Sequence, residues 1–184
     1  MEENQEKNIA NKIIVVTGGS RGIGAEIVRR LARSGYTIIL NYNHSEQCAK
    51  NVENELKKEG LTVDIFKADV SKREEADKLI NFALEKYEKI DALVNNAGIS
   101  QTRLFTDITD EDWSHMLDVN LNSAFYCSRA AVKNMIHNKS GLIINISSIW
   151  GITGSSCEVH YSTAKAGLIG FTKALAKELR SIKH

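Results

Sequence analysis

Short apolar runs alternate along this chain with longer stretches whose apolar residues recur every three or four positions. The run 12–17 (Lys-Ile-Ile-Val-Val-Thr) ends in a glycine turn and reads as a strand buried on both faces. Over 23–34, Ile23, Ile27, Val28 and Leu31 fall on one helical face, and Gly35 stops the helix. The alternation continues with strands over 36–41, 61–68, 91–94 and 141–147. Helices are expected over 46–59, 72–86, 110–138 and 159–182, with Gly60 ending the first of these and Asp110 capping the third. Strands that each lead into a helix predict the α/β class, a Rossmann-like, doubly wound parallel β-sheet covered on both faces. Residues 1–8 are polar and expected to be mobile. Residues 9–184 form one domain, with no repeat or linker to divide it. Doubly wound sheets bind ligands at the carboxyl ends of their strands, and the unusual residues of this chain cluster in those loops.

Composition limits the partners. A net charge of +1 provides no bulk attraction to nucleic acid or to a membrane surface. No apolar run approaches the ~20 residues that span a bilayer, and residues 1–7 are too acidic and polar for a secretory signal. Neither a nucleic-acid nor a membrane partner is expected. Cys48, Cys127 and Cys157 are odd in number and lack metal-ligand spacing, so free thiols in a reducing cytoplasm and no metal are expected.

The candidate chemistry lies in the loops after the strands and on two helices. Gly18, Gly22 and Gly24 follow the first strand and open the first helix. Such a turn lets a pyrophosphate approach free N–H groups at a helix N-terminus, though a purely structural glycine turn has the same look. The place after the second strand, where a carboxylate would grip ribose hydroxyls, holds Asn41, Tyr42, Asn43 and His44. With no carboxylate there, and with Arg21 in the turn, the expected cofactor carries a 2′-phosphate; Arg21 is otherwise a solvated loop charge. Tyr161 and Lys165 stand four residues apart on one helical face. An ammonium ~4 Å from a phenol, at an effective dielectric of ~20, favours the phenolate by about 4 kcal/mol, which suits general acid–base work. Ser148 lies just past a strand end, at the same rim. Asn120 is a poor mid-helix residue, so it either bends the helix and holds a water behind the lysine or sits on the surface. Asn95-Asn96-Ala97-Gly98 forms another tight polar turn, and Asp69 either meets the adenine end of a dinucleotide or simply forms a turn.

These motifs, TGGSRGIG at 17–24, Asp69-Val70, NNAG at 95–98, Asn120, INISS at 144–148 and YSTAK at 161–165, occur in the order seen in the classical short-chain dehydrogenase/reductase family, which the chain resembles from Asn11 onward. The resemblance implies a catalytic tetrad of Asn120, Ser148, Tyr161 and Lys165. Tyr161 would protonate a carbonyl oxygen and Ser148 would polarise it. Lys165 would support the tyrosine and bind nicotinamide-ribose hydroxyls, and Asn120 would organise a relay water. It also implies an NADP(H) site formed by Gly18, Ser20, Arg21, Gly22, Ile23, Gly24, Asn41, Asp69, Val70, Asn96, Ala97 and Gly98, together with Tyr161 and Lys165.

Within the family, the run 164–178 is most similar to bacterial 3-oxoacyl-[acyl-carrier-protein] reductases. That implies a β-keto thioester on acyl carrier protein, with Lys133, Lys139 and Lys183 either meeting the acidic carrier or simply solvated. The stretches 147–151 and 156–159 also resemble elongation factor P 5-aminopentanone reductases, which act on a ketone carried by a protein lysine. Trp150 then walls a substrate pocket or is ordinary packing. The family's dimer contacts imply a homodimer or homotetramer through the 110–138 and 159–182 helices. Family members continue with two further strands and a substrate lid. The expected sheet therefore lacks the last two strands of the family and leaves the 141–147 strand with an open edge. A catalytically inactive NADP-binding fragment stands as the alternative to an active reductase.

Overall fold

The run of branched residues at β1 (Ile13–Val16) is buried on both faces, because helices pack against both sides of the sheet it centres. The computed structural model describes residues 12–181. The expected tail 1–8, Lys183 and the end of the 159–182 helix lie outside the described residues. The other strands are β2 (Thr37–Tyr42), β3 (Val63–Lys67), β4 (Ala92–Asn95) and β5 (Leu142–Asn145). All pairings are parallel, in the order β3-β2-β1-β4-β5. The winding therefore reverses between β1 and β4, and the loops leaving these two strands open a crevice at the carboxyl rim.

Helices α1 (Gly22–Arg33) and α2 (Glu46–Lys58) cover one face. Helices α3 (Arg73–Tyr87) and α5 (Ser123–His137) cover the other. The period of two in β1 divides the core accordingly. Ile14 and Val16 join Val28 and Leu56 on the first face, and Ile13 and Val15 join Leu79 and Ala131 on the second. Among the described residues, no helix is long and apolar enough to cross a membrane.

The region expected as one helix over 110–138 is three elements: α4 (Asp110–Leu117), a π-helical turn (Asp118–Asn122) and α5. The expected cap at Asp110 is corrected as well. Thr109 caps α4, accepting from the Asp112 amide at 3.1 Å while the Asp112 carboxylate takes the Thr109 amide at 3.2 Å. That reciprocal box needs an acid three residues after the cap. Thr109 has Asp112 there, whereas Asp110 would have Trp113. A short helix α6 (Trp150–Thr153) precedes the long α7 (Val159–Ser181).

Strand β5 pairs only with β4 among the described residues, and Leu142 and Ile144 are exposed. Beside it, between α5 and α7, runs a trough of about 760 Å³ lined by Met135, Ile136, Ile143, Leu175 and Leu179.

Candidate active site

The rim above β1 is built by close backbone contact. A Cβ on Gly18 would lie 2.9 Å from the Ala97 Cα, and one on Gly24 would overlap the Gly18 carbonyl oxygen. Only glycines let the first turn of α1 settle against the loop after β4. Thr17 ties the two loops together, its hydroxyl accepting from the amides of Asn96 and Ala97, each at 3.0 Å. Asn96 returns the contact, donating from Nδ2 to the carbonyls of Thr17 and Gly18 at 3.0 Å.

This turn suits an anion. Gly22 has φ +54, and the place of its missing Cβ is open space. Arg21, at the N-cap of α1, makes no side-chain cap, so the first amides of the helix point at the crevice unpartnered by helical carbonyls. Arg21, Gly22 and Ile23 are exposed, and Ser20 and Gly24 are buried. The Arg21 guanidinium has no hydrogen bond or ion pair among the described residues.

Asn41 lies near the end of β2 with its side chain buried. Its Oδ1 accepts from the Gly18 amide at 3.3 Å, and its Nδ2 donates to the carbonyls of Phe66 and Ala68 at 3.3 and 3.0 Å. Buried and fully engaged, the side chain braces the glycine turn against the ends of β2 and β3. Val70 likewise points into the core, leaving its backbone for any ligand contact. The Asp69 carboxylate accepts from the Ser71 amide and hydroxyl at 3.2 and 2.6 Å. Burial pushes Asp69 up, but these bonds and Lys72 outweigh it and hold the group below the usual carboxylate range.

The other half of the crevice is assembled by side chains. Lys165 is buried (4 % exposed) and donates to the Ile146 carbonyl at 3.0 Å. Its ammonium lies 5.7 Å from the Tyr161 ring centroid, within cation–π range. Burial holds Lys165 below the usual lysine range. Ser147 donates to the Lys165 carbonyl at 3.0 Å, fixing α7 to the end of β5. Ser148 is partly buried, and its Oγ accepts from the Trp150 amide at 3.2 Å at the start of α6, which leaves its own O–H free to donate.

Asn120 occupies the π-helical turn and is buried. Its Nδ2 donates to the carbonyls of Ile99 and Met116 at 3.0 and 3.1 Å, and its Oδ1 accepts from the Ile99 amide at 3.3 Å. Both N–H groups are spent, and one lone pair on Oδ1 remains. Gly98 sits between the two polar groups: a Cβ there would lie 2.8 Å from Asn120 Oδ1 and 3.5 Å from Lys165 Nζ. Asn120, Lys165 and the loop after β4 thus converge on Gly98, with Tyr161 above the lysine.

Sequence reasoning missed Thr17, Ile146 and Ile99. Thr17 opens the TGGSRGIG motif, so its position was a usable signal. The other two act through backbone atoms, which side-chain identity does not reveal.

A parallel doubly wound sheet with a glycine turn at its switch point and a Tyr-x-x-x-Lys helix beside it defines a nicotinamide-type oxidoreductase scaffold. Residues 12–183 match the model of the short chain dehydrogenase family, and the chain belongs to that family of oxidoreductases. It is 43 % identical over 170 residues to a 3-oxoacyl-[acyl-carrier-protein] reductase of Synechocystis sp., covering 92 % of this chain and 69 % of that protein. It is 38 % identical over 171 residues to the corresponding reductase of Staphylococcus epidermidis, covering 93 % and 70 %. Among solved structures, a metagenomic short-chain oxidoreductase in complex with NADP superposes with a TM-score of 0.91 at 31 % identity, covering 95 % of this chain and 79 % of that one. A putative short-chain alcohol dehydrogenase from Sinorhizobium meliloti superposes with a TM-score of 0.89 at 31 % identity, covering 94 % and 68 %.

Proposed function

We propose that this protein is an NADP(H)-dependent ketoreductase whose substrate is a 3-oxoacyl thioester carried by acyl carrier protein, reduced to the 3-hydroxyacyl thioester. The convergence of Lys165 and Asn120 at Gly98, with the Lys165 ammonium over the Tyr161 ring, carries the reading. When bound, the reduced nicotinamide supplies a hydride to the carbonyl carbon. Tyr161 donates its phenolic proton to the carbonyl oxygen, and the Ser148 hydroxyl donates a hydrogen bond to that same oxygen. The Lys165 ammonium stabilises the phenolate that remains and, with its two further N–H groups, holds ribose hydroxyls. Asn120 offers its remaining lone pair to a water that returns the proton.

The preference for NADP(H) rests on charge. Arg21 is exposed at the glycine turn, and its guanidinium is available to a 2′-phosphate. At the end of β2 the residues are Tyr42, Asn43 and His44, and the first carboxylate after them, Glu46, is paired with Lys50 at 2.7 Å. The carrier-bound substrate is drawn from the two reductases named above. A family assembly through α4, α5 and α7, as a homodimer or homotetramer, and a cytoplasmic setting complete the reading. The unpaired thiols of Cys48, Cys127 and Cys157 suit that setting.

A second substrate, a ketone borne on a lysine of elongation factor P, is favoured by one feature. Ile149, Trp150 and Ile152, directly after Ser148, are exposed apolar residues that would meet a protein-borne substrate. The deciding assay follows NADPH oxidation with a carrier-bound 3-oxoacyl thioester, the same free thioester, and a lysine-borne ketone, with Tyr161→Phe as control. Turnover on the carrier thioester that vanishes in Tyr161→Phe supports the proposal; turnover on the lysine-borne ketone alone moves the substrate to the second reading.

A further inference from the structure

His160 is the residue before Tyr161, and its side chain is completely buried. Its Nε2 lies 2.9 Å from Gln101 Oε1. The direction of that bond is set from the far side. Gln101 Nε2 donates to Asp112 Oδ1 at 3.1 Å, and an ionised carboxylate only accepts. The amide must turn its NH2 to Asp112 and its oxygen to the imidazole, so the proton of His160 sits on Nε2. Nδ1 is left as a buried lone pair with no partner among the described residues. An imidazole that carries such a cost while its other nitrogen is bonded calls for a use of that bond.

Asp112 is anchored well enough to serve as the reference point. Its carboxylate also takes the Thr109 amide at 3.2 Å, the Thr109 hydroxyl at 3.1 Å and the Arg103 guanidinium. The Gln101 bond first, then the Thr109 amide, holds Asp112 below the usual carboxylate range. Arg103 adds a second tie, its amide donating to the Cys157 carbonyl at 2.8 Å. The segment 99–103 is therefore stitched to Asn120 at Ile99, to His160 at Gln101 and to Cys157 at Arg103. It lies between the π-helical turn and the first turn of α7.

We propose that Gln101 and His160 are positioning residues for Tyr161, oriented by the Asp112 carboxylate. The relay sets where the first turn of α7 stands relative to the loop after β4, and so where the phenol meets the carbonyl. This rests on the ketoreductase reading, and its test has a readout that does not.

The two-bond proton–nitrogen spectrum of the full chain, uniformly labelled with 15N, reports the His160 tautomer. The expected result is Nε2–H in the wild type, lost in Gln101→Leu, with the backbone amide signals of Tyr161 and Lys165 displaced. In the NADPH assay, Gln101→Leu and His160→Leu are expected to lower kcat on the order of tenfold, the scale of a small misplacement, with KM for NADPH held. His160→Gln, whose amide reaches the same place and still donates, is expected to recover most of the loss. Gln101 is only partly buried, so its variant keeps the test available if His160→Leu fails to fold. Nδ1–H in the wild type overturns the proposal, as does an unchanged kcat in Gln101→Leu, or His160→Gln as slow as His160→Leu. If the wild type and Tyr161→Phe are equally inert on keto thioesters, it is the ketoreductase reading that fails, and the tautomer with the amide displacements decides the relay alone.

Discussion

At the glycine-turn half of the rim, backbone meets backbone: Gly18 lies against Ala97 and Gly24 against Gly18, with Asn41, Thr17 and Asn96 filling in hydrogen bonds. At the Tyr161 half, long side chains cross gaps to reach backbone carbonyls, Lys165 to Ile146 and Asn120 to Ile99 and Met116. The first half is set by what is absent, since one added methyl has no space. The second is set by what is present, since each polar reach must be made or a buried group is orphaned. A rim built this way joins a turn of tight backbone contacts to a set of polar groups whose positions depend on several elements at once.

The largest expected effect breaks the chemistry without touching either kind of support. Tyr161→Phe should lower kcat by about 10²–10⁴, the usual worth of a general acid, while NADPH is still bound in a fluorescence titration. Gly24→Ala should come next. Its methyl would overlap the Gly18 carbonyl and approach Asn96 Nδ2 at 2.5 Å, so NADPH affinity should fall by at least about tenfold and the melting temperature with it, by the cost of overpacking. A normal Kd for this variant would remove the contrast between the two halves. Asn120→Leu should cost about 1–3 kcal/mol of stability in urea unfolding, because the Ile99 and Met116 groups lose buried partners.

The smallest expected effect sharpens the comparison from outside the rim. Burial pushes Asp64 up, but Lys86 at 2.7 Å and Tyr87 at 2.6 Å outweigh it and hold its carboxyl below the usual range. A depressed carboxylate stabilises the fold above its unfolded value near pH 4 and loses that contribution as pH falls through the folded one. Asp64→Asn should therefore cost about 1 kcal/mol at neutral pH and flatten the acid limb of the stability curve. Its kcat should match the wild type, since β3 and α3 lie away from the Tyr161 half of the rim.

The alternation of strands and helices was legible because burial on two faces and burial on one face leave different periods in a sequence. The 110–138 helix was legible as apolar periodicity but not as three elements. Its π turn exists because Asn120 finds Ile99, a residue far along the chain, and local pattern carries no record of that meeting. The cap at Thr109 rather than Asp110 was decided by which acid stood three residues on. Helix α6 is too short to show a period. The lack of a carboxylate at Asn41 was legible at a strand end, but that its amide turns inward to Gly18 depended on where β3 ended beside it.

The residue types and spacings alone determined the alternation of strands and helices, the glycine turn and the Tyr161/Lys165 helix face, because each follows from interactions within a few residues, and that alternation in turn implies a parallel sheet. Only the tertiary structure decided that Gly98 stands between Asn120 and Lys165, that Asn41 faces inward, and that buried His160 joins Gln101 and Asp112. Those arrangements depend on how close separate elements pack. That distance is set by the whole core at once and is not written in any one segment.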